Sequence, residues 1–396
     1  MAKEEDVTKI VNQLFFSKEA ADYLGITPQR LNQLVKTKKL VPIKKSKGSM
    51  LFHISDLNER KAENLNNSVL ISTPIIGAKD MTPKNTSVIE KAIGYFVIQS
   101  FLNYSDKAAF PVFLDLVARG IDFCIPHSDD FELISSKINI DKKLIKDRFD
   151  EVEKSFTTLL SPDVVILYKD HPDYPAHLRN TDIAPPFLFA RGDLSLLANT
   201  VVSVVGTRKP TEEGKKRAFH LARLLGQSGI VVASGLANGI DTQAHSSALS
   251  HQYPTIAVIG TPICRVYPKE NMELQERIAR SGLVLSQFAP NERVQRWFFP
   301  LRNGTMSGIS KATVIVEAGE TSGALKQADY ALKQGRLVFI PQSALDNELI
   351  SWPKKYVQKP GAMSFKTITE LLFALQSEDI IKPSVDSTVQ MELFEV

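Results

Sequence analysis

The sequence predicts an α/β fold in which helices cover both faces of a doubly wound parallel sheet. Three observations predict it. Six apolar runs, at 201–205, 230–233, 255–259, 283–286, 312–316 and 337–340, are rich in Val and Ile and read as strands. Each run is continuous rather than alternating, so both faces of each strand are covered, as in a parallel sheet. Amphipathic segments at about 213–225, 242–250, 270–280 and 323–333 separate the runs and supply the crossover helices.

The chain has 396 residues, 43% hydrophobic and 23% charged, which excludes a disordered, collagen-like or disulfide-scaffold protein. Two cysteines, Cys124 and Cys264, cannot build a disulfide framework and suit a reducing cytosol. No apolar run approaches the roughly 18 residues of a membrane span, and the first ten residues lack a signal-peptide plan. A soluble cytoplasmic protein is expected. The net charge of +4 is uneven: residues 1–62 carry +5, residues 201–341 carry +7, and the remainder −8. Two basic modules around an acidic one fit an anionic partner touched at two places, or solvated surface charge.

Residues 1–62 form the first expected domain. Ser17 caps a short helix, Leu24 and Gly25 end it, and Thr27-Pro28 open a second helix with Leu31, Leu34 and Val35 on one face. A lysine-rich hairpin follows. Between Pro28 and Ile54 stand Arg30, Lys36, Lys38, Lys39, Lys44, Lys45 and Lys47, with no acid. This stretch resembles a winged helix-turn-helix of the MerR/excisionase type, which implies that these seven side chains contact duplex DNA. A helical pair serving protein contacts is the alternative. Residues 63–84 are expected to be a linker, 85–165 a helical middle region with core aromatics, 166–365 the sheet domain and 366–396 a tail.

Ligands of a doubly wound sheet bind beyond the carboxyl ends of its strands. Four expected loops lie there, at 206–210, 234–241, 298–304 and 317–323. Their glycines, Gly206, Gly235, Gly239 and Gly323 among them, let main-chain N–H groups converge on an anion, and Arg208 and Arg302 can each fork onto a phosphate. Trp297, Phe298 and Phe299 are candidate base platforms, with buried core as the alternative. Neither GxGxxG nor GxxxxGK[ST] occurs at the strand ends.

These motifs resemble the DprA/Smf family. Val205-Gly206-Thr207-Arg208, the run from Ser234 to Asp241 with His245, Val266-Tyr267-Pro268 with Asn271, Phe299-Pro300-Leu301-Arg302-Asn303, and Glu317-Ala318-Gly319 with Ser322-Gly323 occur in the family's order. The likeness extends over about 167–362. It implies a Rossmann-like, homodimeric domain that binds single-stranded DNA and delivers it to RecA in recombination or transformation. On that resemblance Arg208, Ser234, Gly235, Arg302 and Asn303 line a phosphate pocket that Ser322 and Gly323 close, with Gly206, Thr207, Gly239 and Phe299 beside them. This chain departs from the pattern at Gly304, where a second arginine is usual, and at Gln342, where glycine is. A module in front, in place of the usual C-terminal one, is also expected.

No catalytic carboxylate falls in 324–327, where related phosphoribohydrolases carry one, and no nucleophile–base pair or metal-ligand spacing stands out. Asp241 reads as a helix cap and His245 as a structural residue. A non-enzymatic protein without cofactor or metal is expected; a nucleotide-ligand sensor acting through the helix-turn-helix in phage defence or gene regulation is the alternative. In the tail, Gln390, Leu393 and Phe394 resemble a sliding-clamp-binding motif, implying the clamp as a partner; docking on its own domain is the competing reading.

Overall fold

The computed structural model describes scattered residues between Leu14 and His53, then residues 88–123, 126–378 and 380. The chain divides into two units, Met1–Pro83 and Lys84–Val396. In the first, β1 (Leu14–Phe16), β2 (Lys44–Ser46) and β3 (Ser49–His53) form an antiparallel sheet of order β1-β3-β2. Met50 and Phe52 of β3 are buried with Ala20, Leu31 and Leu40, and Ser17 Oγ accepts the Met50 N–H at 2.8 Å. Helical backbone is described at Ser17, Ala20, Leu31, Val35 and Lys36, and Lys36 is exposed. The rest of the expected helix-turn-helix, with Arg30, Lys38, Lys39 and Lys47 and the side chains of Lys44 and Lys45, lies outside the described residues. So do Cys124, the linker 63–84 and the tail bearing Gln390, Leu393 and Phe394.

The second unit begins with four helices, α1 (Val88–Phe101), α2 (Asp106–Ala118), α3 (Ser128–Ile138) and α4 (Lys142–Leu159). They lead through β4 (Val164–Tyr168), α5 (Ala176–Arg179) and β5 (Phe187–Gly192) into the alternating part. That part runs β6 (Val201–Gly206), α6 (Glu212–Gln227), β7 (Val231–Ser234), α7 (Ile240–Ser250), β8 (Thr255–Val258), α8 (Met272–Ser281) and β9 (Leu283–Ser286). It continues with α9 (Phe298–Ile309), β10 (Ala312–Glu317), α10 (Gly323–Lys333) and β11 (Leu337–Pro341), and closes with α11 (Gln342–Leu345), α12 (Trp352–Tyr356), β12 (Ala362–Phe365) and α13 (Ile368–Ser377).

One nine-stranded sheet of order β12-β11-β10-β6-β7-β8-β9-β5-β4 organises this unit. From β12 to β9 all neighbours are parallel; β5 and β4 are antiparallel additions. The sheet is therefore mixed, which corrects the expectation of a purely parallel one. A short antiparallel edge needs no crossover helix and leaves no βαβ signature in the sequence. The segment 298–304, expected to be a loop, is instead the start of α9. Pro300 suits a first helical turn, where its missing N–H has no partner within the helix.

The four leading helices pack against the antiparallel edge through an aromatic seam. Phe187 of β5 meets Tyr95, Phe113 and Tyr168 at ring-centroid distances of 5.3, 6.1 and 5.0 Å, and Phe96 lies 5.7 Å from Phe189. Tyr95 Oη and Gln99 Nε2 donate to the half-buried Asp106 carboxylate. Arg148 of α4 reaches Glu292, past β9, at 2.8 Å. Among the described residues no helix is long and apolar enough to cross a membrane. Because Phe187 is 1% exposed and central to this seam, Phe187→Ala is expected to cost about 3–5 kcal/mol in a urea unfolding experiment. A loss below about 1 kcal/mol would show that the seam relaxes to fill the cavity.

Candidate nucleic-acid interface

Strand order reverses between β10 and β6: the chain fills the sheet from β6 outward to β9, then crosses back to place β10 on the other side of β6. The loops leaving β6 and β10 part there and open a crevice at the carboxyl rim, the usual ligand position in such a sheet. Gly206, Thr207 and Arg208 stand on one lip, Ser322 and Gly323 on the other, and Ser234, Gly235 and Gly239 beside them.

The β7–α7 loop has to turn sharply to approach the first lip. Leu236 adopts φ +57° and Gly239 φ +86°. A Cβ on Gly239 would collide with the Thr207 carbonyl, so only glycine serves here. Asn271 holds the turn by donating Nδ2–H to the Leu236 carbonyl at 3.0 Å. The Asp241 carboxylate accepts the N–H groups of Gly235 and Ala237, each at 3.2 Å. It lies inside the first turn of α7, and Gly239 occupies the cap position, so the expected capping role is replaced by bracing of the preceding loop.

Arg302 is the least expected feature. It is 5% exposed, with its guanidinium under the rim instead of open to it. Nη1 donates to the carbonyls of Gly235 and Val258, and Nε donates to Asn303 Oδ1 at 3.1 Å. A Cβ on Gly235 would press into this guanidinium. Asn303 in turn donates to the Gly323 carbonyl at 3.2 Å, tying α9 to α10. Burial pulls the Arg302 pKa down to about 10, Asp241 opposes that shift and Arg208 adds to it, so the group stays charged at neutral pH. Burial likewise pushes the Asp241 carboxyl up against the attraction of Arg302.

Arg208 is exposed and sits above Arg302, its guanidinium carbon 5.6 Å from the Phe299 ring centroid. Phe299 is half-buried and meets Tyr267, which is 49% exposed, at 5.4 Å. Arg208, Phe299 and Tyr267 thus make one cation–aromatic surface along the rim. The other two aromatics separate: Trp297 is 41% exposed, whereas Phe298 is 1% exposed and stacks on Phe288 at 3.9 Å. Phe298 is core, which corrects its reading as a base platform.

Two motif residues have roles that their spacing does not give. Tyr267 was visible as part of a motif, but nothing in its spacing says that it flanks Phe299. Glu317 accepts the Thr211 N–H at 3.1 Å and its hydroxyl at 2.7 Å, which ties the β6–α6 loop to the end of β10. Ser234, expected to face a phosphate, is fully buried and donates its hydroxyl to the Val204 carbonyl at 2.7 Å. Ser322 caps α10 by accepting the Ala324 N–H at 3.3 Å.

His245 lies beneath the rim, fully buried, with Nδ1 2.8 Å from Thr255 Oγ1. Thr255 donates its own proton to the Val232 carbonyl, so the imidazole Nδ1–H must donate to the hydroxyl. Burial lowers the His245 pKa from 6.5 to about 3. The unfolded chain then binds more protons between those values, so this residue contributes stability above pH 6.5 that is lost as pH falls toward 3. His245→Gln is expected to flatten stability against pH over that window, measured by urea midpoints. A slope equal to that of the unsubstituted protein would remove His245 as the titrating group. Asp241→Ala, which leaves Arg302 buried without its countercharge, is expected to cost about 3–5 kcal/mol in the same assay; a neutral result would mean that Arg302 is satisfied by the carbonyls alone.

With this geometry established, the comparisons with known proteins fall into one pattern. The profile of the family described as DNA recombination-mediator protein A matches residues 165–376. The DNA processing protein DprA of Bacillus subtilis is 33% identical over 240 residues, 58% of this chain and 80% of that protein. The Streptococcus pneumoniae DprA is 41% identical over 174 residues, 44% of this chain and 61% of that protein. The X-ray structure of the S. pneumoniae protein superposes with a TM-score of 0.56 at 27% identity, covering 74% of this chain and 98% of that one. The chain belongs to the DNA recombination-mediator protein A family, and the rim built around Arg208 and Arg302 lies within the matched region.

Proposed function

We propose that this protein is a non-enzymatic recombination mediator that holds single-stranded DNA along the carboxyl rim of its sheet. The observation that carries the reading is the exposed Arg208 guanidinium lying against Phe299 above the switch-point crevice. Arg208 takes a backbone phosphate, the Phe299 and Tyr267 rings take bases, and the main-chain N–H of Gly323 at the start of α10 adds a donor. Arg302 and Asn303 act from below by holding Gly235 and Gly323 in place. Binding of this kind has little sequence preference and weakens steeply with salt.

The protein works as a homodimer that passes the strand to RecA. Arg30, Lys36, Lys38, Lys39, Lys44, Lys45 and Lys47 contact duplex DNA, and Gln390, Leu393 and Phe394 engage the sliding clamp. Removal of residues 1–62 is then expected to abolish duplex binding and spare single-strand binding.

The test is a titration of the full chain against single-stranded oligonucleotides at two salt concentrations. Arg208→Ala is expected to weaken binding about tenfold and to reduce the salt slope by about one. Phe299→Ala is expected to lose about 1–3 kcal/mol with the slope unchanged, because stacking releases no counterions. Absence of single-strand binding at low salt, or an Arg208→Ala protein that binds as the parent does, would overturn the assignment.

A further inference from the structure

A second cavity lies away from the rim. It is a cleft of about 370 Å³ between α5 with the loop after it and the carboxyl end of α10. Lys333 and Arg336 bring positive charge to its wall and His177 an imidazole, Tyr330 and Ile183 supply an apolar face, and Asp182 is its one carboxylate. Its position is set by the far end of the sheet: Arg336 directly precedes β11 and Lys311 directly precedes β10.

The cations of this cleft are poorly compensated. Among the described residues, neither Lys333 nor Arg336 of its wall, nor the neighbouring Lys311, forms an ion pair with a carboxylate. Arg336 donates from Nη2 to the His177 carbonyl at 3.2 Å, while its buried Nε has no partner. Burial lowers the pKa values of His177 and Lys311, and the Arg336 charge lowers both further; Lys311 also acts on His177. An anion placed here would relieve this mutual repulsion. The carbonyl end of α10 does not oppose it strongly, because Tyr330, Ala331 and Leu332 carbonyls already accept the N–H groups of Gln334, Gly335 and Arg336.

The departure at Gly304 bears on the same cleft. A Cβ at that position would overlap Ile183 Cδ1 and lie 3.3 Å from the Tyr330 ring. Glycine therefore lets Ile183 settle beside Tyr330. A flat apolar patch next to a group of unpaired cations matches one chemical class, a base joined to a phosphate.

We propose that this cleft is a second site, independent of the rim, that takes a nucleotide: the phosphate against Lys333, Arg336 and His177, the base against Tyr330 and Ile183. The occupant is either a free nucleotide or one unit of a bound strand.

Equilibrium dialysis of the full-length Arg208→Ala protein, in which the rim is weakened, tests the site with dAMP, deoxyadenosine and inorganic phosphate. One dAMP is expected to bind, at least tenfold more tightly than phosphate, with no measurable binding of deoxyadenosine. Lys333→Gln is expected to weaken dAMP at least fivefold, Lys333→Arg to retain it, and Tyr330→Ala to bring dAMP down to the level of phosphate. Failure of dAMP to bind, equal binding of dAMP and phosphate, or indifference to Lys333→Gln would each overturn the proposal. Oligonucleotide binding by Lys333→Gln in the otherwise unsubstituted protein separates the two sources. A salt slope reduced by about one places a strand in the cleft, and an unchanged slope assigns it to a free nucleotide.

Discussion

A guanidinium group withdrawn from water needs hydrogen-bond acceptors, and Arg302 finds them for Nε and Nη1 in the segments that form the rim. The Gly235 carbonyl follows β7, the Val258 carbonyl ends β8, and Asn303 carries the connection on to Gly323 at the start of α10. Three chain segments far apart in sequence are therefore drawn to one buried cation. Leaving such a charge unpaired costs several kcal/mol, and that penalty keeps the loops in one arrangement. Asp241 completes the device from the other side by taking the N–H groups of Gly235 and Ala237.

The electrostatic consequence reaches the surface. Arg208 lies close enough to lower the Arg302 pKa, so the two cations repel across the rim. Asp241 offsets part of that charge from below and leaves a positive field at the lip. Because Arg302 is buried, its field is less screened than that of a surface lysine. The exposed side of the lip is aromatic, where Phe299 and Tyr267 lie side by side. A polymer with alternating charged links and flat bases is complementary to such a surface.

Much of this was legible from residue pattern. Continuous Val/Ile runs separated by amphipathic segments specify strands that must be buried on both faces, and the six expected runs coincide with β6 to β11 to within a residue or two. The glycine-rich turns were legible for the same reason, since Gly239 at φ +86° is a local requirement. The antiparallel edge strands β4 and β5 were not, because pairing beside β9 depends on Phe187 and Phe189 meeting rings contributed by α1 and α2. Pro300 within two aromatics resembled a loop, although a first helical turn accepts proline.

Local pattern by itself determined the element types, the alternation of strands and helices and the set of glycines and arginines that reach the sheet's carboxyl end. Those follow from side-chain periodicity and backbone sterics, which act over a few residues. Only the tertiary structure decided that Arg302 is a buried brace and Arg208 an exposed contact, that Phe298 is core while Phe299 reaches the rim, and that Gly304 opens room for Ile183. Each of those outcomes depends on which distant segment removes water from a given side chain, and burial of that kind leaves no trace in the spacing of neighbouring residues.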